Sequence, residues 1–231
     1  MRYFIERDFP HLDYQGKEIL IIGGGPSTID VKWENIKTDF VWSCNDFYLN
    51  DRLLKQDINL VSMGNLQDYN NQTLSEYLDW HDTNILIEDN HIRPQTISNN
   101  QTFFNKYKQK IFRGSVDKEY CGIVGPPARL ITLACELGAT GVYFVGVDGF
   151  DKDLKNRHAF TNEEGLRGNA AHNSYDKYYN SITGFFRRVY NDYGRNVKFY
   201  NLGEASEAHN IPSFVSKELF PLDEKILALL G

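Results

Sequence analysis

The chain has 231 residues and a formal net charge of −6, with 41% hydrophobic and 14% aromatic residues. Disordered chains are poor in apolar and aromatic residues, so this composition excludes a disordered protein and predicts a folded core. The negative charge argues against a general attraction to nucleic acid or to an anionic membrane surface. Any phosphate that the protein binds must therefore be held locally.

The length fits one core, and we expect residues 1–231 to form a single nucleotide-binding or nucleotide-sugar-binding α/β domain. No apolar run approaches the roughly 18 residues of a membrane helix, and the N-terminus lacks the apolar region of a signal peptide. We therefore expect a cytoplasmic protein in which residues 223–230 form a last helix packed on its own domain, with a contact to a partner or at most a peripheral membrane contact as the alternative. The cysteines are odd in number and lack metal-ligand spacing, which predicts buried free thiols. They are Cys44, Cys121 and Cys135.

Strand and helix patterns alternate along the chain. Short β-branched runs predict strands, the first at residues 18–22. Apolar residues at helical spacing predict a helix over residues 125–137, followed by Gly138, which suits a left-handed helix cap. The alternation predicts an α/β protein with a modified Rossmann-like fold, a mostly parallel sheet with helices on both faces. The other predicted elements are strands at 40–44, 58–63, 84–87, 142–147 and 197–200 and a long amphipathic helix at 174–193.

Two polar stretches have no clear period. We expect residues 89–122 to form an excursion beside the site. Residues 149–173 directly follow a predicted strand, and ligands of open α/β sheets bind at the carboxyl ends of strands. Long polar loops in that position are usually functional, so we expect residues 149–173 to form a small lid over the site.

The first predicted strand ends in the turn Gly23-Gly24-Gly25-Pro26-Ser27. Glycines let a backbone come close to a phosphate or ribose, and the helix start that follows offers N–H donors. The turn lacks the Lys-Ser/Thr ending of a Walker A loop and the spacing of G-x-G-x-x-G. It predicts a phosphate or ribose contact, with a plain tight turn as the alternative.

Amide and acidic side chains follow other predicted strands. Asn45 follows the second strand and Asn65 the third, where an amide can bind a base, a ribose or a sugar hydroxyl. The structural alternative is a pair of Asx turns. Asp148 ends the strand before the long polar loop and can bind a ribose or sugar hydroxyl. Together with Asp151 and Asp153 it also suggests Mg²⁺, although a solvated acidic loop is the favoured interpretation.

The polar loop at residues 149–173 also contains candidates for chemistry. His172 stands just before the long helix, and a neutral imidazole suits the removal of a proton from a sugar hydroxyl. A basic cluster of Arg157, His158 and Arg167 can hold a leaving phosphate, since arginine binds phosphate oxygens in a bidentate manner. An exposed polar loop is the alternative for all of these residues.

Taken in the order in which they occur along the chain, the glycine turn, Asn45, Asn65, Asp148 and His172 resemble the family-42 sialyltransferases. They also resemble the wider motility-accessory-factor (MptE-like) family and its pterin-pyrophosphokinase-like relatives. The resemblance covers residues 19–214 and is strongest at Gly23 to Ser27, at Cys44-Asn45 and at residues 138–148. It implies a modified nucleotide-binding α/β sheet with a lid, CMP-sialic acid as the donor and no required metal.

Carried over by position, the glycine turn with Ser27 would meet the donor phosphate and ribose. Asn45 and Asn65 would touch the nucleotide and its phosphate, and Asp148 would lie beneath the cytidine. His172 matches the position of the family's general base.

The chain departs from the family pattern at several places. Gly24 replaces an Asn in the glycine turn, and Phe150 and His158 stand where the family has two tyrosines that support the departing phosphate. Phe150, which we count with the donor site, cannot donate a hydrogen bond. His158 with Arg157 would supply a cation opposite the developing charge. Residues 125–127, Gly-Pro-Pro, replace the family's Arg-x-x-Ser-Gly segment and are closer to the motility-accessory branch.

The sequence therefore predicts a metal-independent, inverting glycosyltransferase that moves a sialic or another nonulosonic acid from a CMP donor to a surface or flagellar glycan. His172 would be the general base, and His158 with Arg157 would stabilise the CMP leaving group. The alternatives are an ATP- and Mg²⁺-dependent pterin-type pyrophosphokinase and a non-catalytic nucleotide-binding protein. We expect no required cofactor and no nucleic-acid partner, and homo-oligomerisation stays open.

Overall fold

The computed structural model describes residues 3–5, 9, 14–64, 68–89, 92–116, 125–148, 159–160, 175–207 and 213–231. Among these residues, eight strands form one sheet. The strands are β1 (Tyr3–Ile5), β2 (Glu18–Ile22), β3 (Phe40–Cys44), β4 (Leu60–Met63), β5 (Asn84–Glu88), β6 (Ile111–Val116), β7 (Gly141–Val145) and β8 (Lys198–Asn201). The spatial order is β1-β6-β5-β4-β3-β2-β7-β8, in which β1 pairs antiparallel with β6 and the other pairs are parallel.

The helices of the described residues lie mostly between these strands. They are α1 (Ser27–Asp30), α2 (Gln72–Trp80), α3 (Pro94–Asn99), α4 (Gln101–Lys106), α5 (Pro126–Glu136), α6 (Tyr175–Tyr193), α7 (Ser213–Leu219) and α8 (Glu224–Leu230). The predicted α/β class with a mostly parallel sheet is confirmed.

Local sequence explains where α5 begins and ends. Two prolines occupy its first positions, where the missing N–H groups have no intrahelical acceptor in any case. Gly138 follows the helix with a φ of +84°, the left-handed conformation that glycine adopts readily. Inside the sheet, β2, β4 and β7 are apolar almost without interruption because parallel strands are covered on both faces.

From β2 onward, the side of the sheet on which new strands are added changes once. From β2 the chain adds β3, β4, β5 and β6 on one side and then returns through α5 to β7 on the other side. Because such crossovers are right-handed, the helices before and after this reversal belong to opposite faces. Ligands of doubly wound sheets bind at the carboxyl ends of strands where the order reverses. Here that point lies between β2 and β7.

Two sequence expectations change. Residues 89–122, for which the sequence predicts an excursion without a clear period, contain α3, α4 and the sheet strand β6. Helices of six residues are too short to show a period, and β6 mixes apolar residues with Arg113, Gly114 and Ser115. The strand predicted at 142–147 ends at Val145, because Gly146 turns the backbone with a φ of +72°.

Other expectations can be compared with the described part of the chain. Cys44 and Cys135 are buried and free, as predicted, and Cys121 lies outside the described residues. Within the described ranges, no helix combines the length and apolar character needed to cross a membrane. The C-terminal helix α8 contacts the segment after α1, where the Lys32 N–H donates to the Leu230 carbonyl (3.4 Å).

Candidate functional site

The glycine turn extends the pairing of β2 with β7 beyond the ends of both strands. The Gly23 N–H donates to the Val145 carbonyl (2.8 Å), and the Gly25 N–H donates to the Gly146 carbonyl (2.9 Å). A Cβ on Gly23 would lie 2.5 Å from the Gly146 carbonyl oxygen, and a Cβ on Gly25 would lie 2.5 Å from Asp148 Oδ2. These glycines are therefore required by the close approach of two backbones.

Ser27 and Asp148 form a buried polar pair beneath this turn. Asp148 Oδ2 accepts from the Ser27 N–H (2.7 Å), and Oδ1 accepts from the Ser27 hydroxyl (2.6 Å). The Ser27 hydroxyl also accepts from the Gly146 N–H (2.9 Å). Ser27 is 0% exposed and Asp148 2% exposed, so the structure brings these two predicted site residues together, each bonded to the other.

This pairing changes the expected role of the helix start. The Ser27 N–H is bonded to Asp148, and the Thr28 N–H to the Gly25 carbonyl (3.1 Å), so neither is an open donor for a phosphate. The helix α1 is also only four residues long. Among the amides of the turn, the N–H of Gly24 is the one with no partner in the described part of the chain.

Asn45 directly follows β3, the strand next to β2, and has an unusual backbone conformation. Its φ is +48°, the left-handed region, and no other non-glycine residue has a positive φ in the described ranges. Asn tolerates this region better than most residues, and such conformations cluster at functional sites. Its N–H donates to the Ser62 carbonyl (2.8 Å). The half-buried side-chain amide has no partner among the residues that the structure describes.

One described residue of the predicted lid segment, Ala159, contacts the glycine turn. The Ala159 N–H donates to the Gly24 carbonyl (2.9 Å), and the Ala159 carbonyl accepts from Asn50 Nδ2 (2.9 Å). Phe160 is buried. The segment after β7 therefore reaches across the turn after β2 to the loop after β3. A lid over residues 149–173 as a whole stays a prediction.

Several predicted site residues lie outside the described residues. Their expected roles in binding, metal coordination and catalysis stay predictions. They are Asn65, Phe150, Asp151, Asp153, Arg157, His158, Arg167 and His172. Among the described residues, no group of three or more His, Cys, Asp or Glu side chains could hold a metal ion.

Burial keeps two ionisable groups near Asn45, the Cys44 thiol and the Tyr48 hydroxyl, neutral. Burial raises the pKa of the Cys44 thiol, and the neighbouring Asp46 carboxylate raises it further. Burial and the same carboxylate raise the pKa of the Tyr48 hydroxyl, which donates to Asp46 Oδ1 (3.3 Å). Neither the thiolate nor the phenolate forms near pH 7, so neither group is a nucleophile there.

A buried ion pair lies below the same edge of the sheet and was not anticipated. Arg129 Nη1 in α5 donates to Glu88 Oε2 (2.7 Å), the last residue of β5. Both side chains are almost fully buried, and Arg129 Nε has no partner in the described ranges. The signal was present: each charge interrupts an apolar segment, and buried charges are usually paired.

Arg52 is a second residue that the sequence analysis missed. Its guanidinium donates to the carbonyls of Thr28 (2.7 Å), Ile29 (2.8 Å) and Val31 (2.7 Å) and also pairs with Glu34. It therefore holds the segment after the glycine turn against the loop after β3. No local pattern distinguishes Arg52 from an ordinary surface arginine, since its acceptors are backbone carbonyls far along the chain.

Comparison with known proteins gives a match at the level of fold. No protein-family model and no curated protein matches the sequence. Among solved structures, the chain is similar to the sialyltransferase CstII from Campylobacter jejuni in complex with a substrate analogue, cytidine-5'-monophosphate. The similarity has a TM-score of 0.53 at 15% identity and covers 91% of this chain and 87% of that chain. The chain therefore has a sialyltransferase-like, Rossmann-like α/β fold, as expected from the family-42 resemblance.

Proposed function

We propose that the chain is a glycosyltransferase that uses a CMP-activated sugar, with the nucleotide at the carboxyl edge of β2, β3 and β7. The carrying observation is that the glycine turn and Asp148 meet at the point where the strand order reverses, with Asn45 at the end of the neighbouring strand β3. That point is the usual ligand site of such sheets. The similar fold of CstII, whose structure contains CMP, supports the choice of nucleotide.

The described residues suggest how the nucleotide is held. The Gly24 N–H and the Asn45 side-chain amide supply hydrogen-bonding groups that no described residue uses. The buried Ser27–Asp148 pair holds the turn in place and forms the floor under the cytidine. Hydrogen bonds that are already arranged before binding cost little further ordering when the ligand arrives.

The chemistry is assigned to residues of the segment 149–173. His172 takes the proton of the acceptor hydroxyl while the acceptor oxygen bonds to the anomeric carbon of the sugar. The bond from that carbon to the phosphate oxygen breaks, and CMP leaves with its charge stabilised by His158 and Arg157. A single displacement of this kind inverts the anomeric centre and requires no metal ion. A sialic or another nonulosonic acid is the proposed sugar, and a surface glycan is the proposed acceptor.

Titration calorimetry with CMP, ATP and GTP, each with and without Mg²⁺, tests the nucleotide. The proposal predicts CMP binding without metal and weaker binding of both purine nucleotides. Tight binding of ATP with Mg²⁺ and no binding of CMP would reject it in favour of a pyrophosphokinase.

Asn45→Gly is the sharpest variant for the site. Glycine keeps the left-handed backbone at no steric cost but removes the amide group. We expect CMP affinity to fall about tenfold while the protein stays as stable as the wild type or gains slightly. CMP affinity equal to that of the wild type would remove Asn45 from the site.

His172→Ala separates catalysis from simple binding. The proposal predicts loss of transfer, and of hydrolysis of a CMP-sugar donor, with unchanged affinity for CMP. Arg195→Ala is a control, because Arg195 is an exposed residue after α6. Donor turnover that is the same in both variants would favour a non-catalytic nucleotide-binding protein.

A further inference from the structure

A series of hydrogen bonds joins the three segments that leave β2, β3 and β7. The Ala159 N–H donates to the Gly24 carbonyl, and the Ala159 carbonyl accepts from Asn50 Nδ2, both at 2.9 Å. Asn50 Oδ1 accepts from the Arg52 N–H (2.9 Å). Arg52 Nη1 donates to the Thr28 carbonyl (2.7 Å). The series therefore begins and ends on the segment that contains the glycine turn.

Asn50 uses the two ends of its amide for different contacts. The oxygen accepts from the backbone N–H groups of Arg52 and Leu53 (3.3 Å), an Asx-type arrangement that stabilises the loop after β3. The nitrogen contacts Ala159, which is 109 residues away in the sequence. A substitution can therefore remove the long-range contact and keep the local one.

Arg52 fixes the other end of the series. Its guanidinium contacts the carbonyls of Thr28, Ile29 and Val31, at the end of α1, where carbonyls lack partners within the helix. It also pairs with Glu34. The planar fork of arginine serves these acceptors together, which a lysine ammonium cannot do in this geometry.

We infer that Asn50 and Arg52 are positioning residues of the nucleotide site, which act without touching the ligand. The inference rests on the proposed function, since it assigns them to the site that would hold CMP. Asn50 holds Ala159 against Gly24, and Arg52 holds α1 against the loop that begins at Asn45. Loss of the Asn50 contact therefore loosens the groups that would bind the nucleotide.

Two variants and a control separate this role from general stability. Asn50→Ser keeps a hydroxyl that can accept from the Arg52 N–H but is too short to reach Ala159. Asn50→Asp keeps the oxygen acceptor, removes the donor and adds a charge. Asn59→Ser is the matched control, because Asn59 Oδ1 accepts from the Val41 N–H (2.8 Å) at the start of β4, away from the site.

We expect both Asn50 variants to bind CMP about tenfold more weakly than the wild type in titration calorimetry. Asn59→Ser should bind CMP as the wild type does. The melting temperature of Asn50→Ser should stay within about 3 °C of that of Asn59→Ser. Hydrogen exchange at the Ala159 amide should be faster in both Asn50 variants and unchanged in Asn59→Ser.

The inference is overturned if Asn50→Ser binds CMP as tightly as the wild type. It is also overturned if only Asn50→Asp is affected, because the added charge would then be the cause. If the wild type itself binds no CMP, the proposed function fails. Exchange at the Ala159 amide then decides separately whether Asn50 holds this contact, and unchanged exchange overturns the inference.

Discussion

The Ser27 hydroxyl connects the two strands that flank the candidate site. It donates to Asp148 and accepts from the Gly146 N–H, and it is fully buried. Buried polar groups that lose a partner cost more than the hydrogen bond itself contributes, because they were removed from water on folding. These two hydrogen bonds of the Ser27 hydroxyl are therefore important for the stability of the fold, independently of any ligand.

Ser27→Ala should lower the free energy of unfolding by about 2–3 kcal/mol, because it leaves the Gly146 N–H without an acceptor. Urea denaturation measures this change. The control is Ser98→Ala, since the exposed Ser98 hydroxyl only donates to the Gln95 carbonyl (2.9 Å) and its loss should cost less than about 0.5 kcal/mol. Equal effects of the two substitutions would show that the buried contact is unimportant.

Gly146→Ala tests how closely the two strand ends approach. Gly146 has a φ of +72°, and a Cβ there would collide with Thr28 Oγ1 and the Gly23 carbonyl oxygen. Gly16→Ala is the control, because Gly16 has a φ of +77° but nothing within 4 Å of an added Cβ.

We expect Gly16→Ala to cost about 1–2 kcal/mol of stability, from backbone strain alone. Gly146→Ala should cost about 2 kcal/mol more than that, because overpacking adds to the strain. The comparison uses the midpoints of urea denaturation. A cost for Gly146→Ala no larger than that for Gly16→Ala would show that the strands can separate.

At the scale of residues, the sequence could predict which groups meet but not how they are bonded. Asp148 and the glycine turn each follow a strand, and strand ends at one edge of a parallel sheet lie together. The direct bond between Ser27 and Asp148 depends on side-chain geometry that no sequence pattern encodes. The left-handed backbone of Asn45 was equally hidden, because Asn also occurs in ordinary turns.

Among the elements, α5 has the most varied role at the site. Pro127 lies against Gly23, and Arg129 of the same helix pairs with Glu88 at the end of β5. Ion pairs buried in a core seldom stabilise more than apolar side chains of similar size, because both charges lose their hydration. The pair is therefore better explained as a contact that fixes α5 to β5, a strand that β3 and β4 separate from β2.

Arg129→Met should lower the free energy of unfolding by about 3–5 kcal/mol, since it leaves the Glu88 carboxylate buried without its cation. The double substitution Glu88→Met with Arg129→Met should recover most of this loss, because no uncompensated charge remains. Chemical denaturation of the single and double variants checks both values. A double variant as unstable as Arg129→Met would contradict this account.

Three of the elements that were missed share a physical cause. The helices α3 and α4 are six residues each, and β1 has three, so none is long enough for a periodic pattern to stand out. Their positions are fixed by pairing and packing with distant parts of the chain. The strands β2 and β3, which are continuous apolar or β-branched runs, and the longer helices α5 and α6 show their patterns within a single window, and they were predicted to within about two residues.

For the whole molecule, the alternation of strands and helices was enough to predict a parallel α/β sheet. The strand order was not predictable, because it depends on which strands pair across long separations. The reversal between β2 and β7 is the consequence that matters for function, since it places the glycine turn beside Asp148. The chain is similar in fold to a sialyltransferase, and this similarity was not needed to locate the candidate site.

The structure of the chain bound to CMP is the most direct test of the central claim. The account predicts the nucleotide at the carboxyl edge of the sheet between β2 and β7, with hydrogen bonds to the Gly24 N–H and the Asn45 side chain and with Asp148 beneath the base. CMP bound at any other place, or contacts at this edge that involve neither Gly24 nor Asn45, would contradict it.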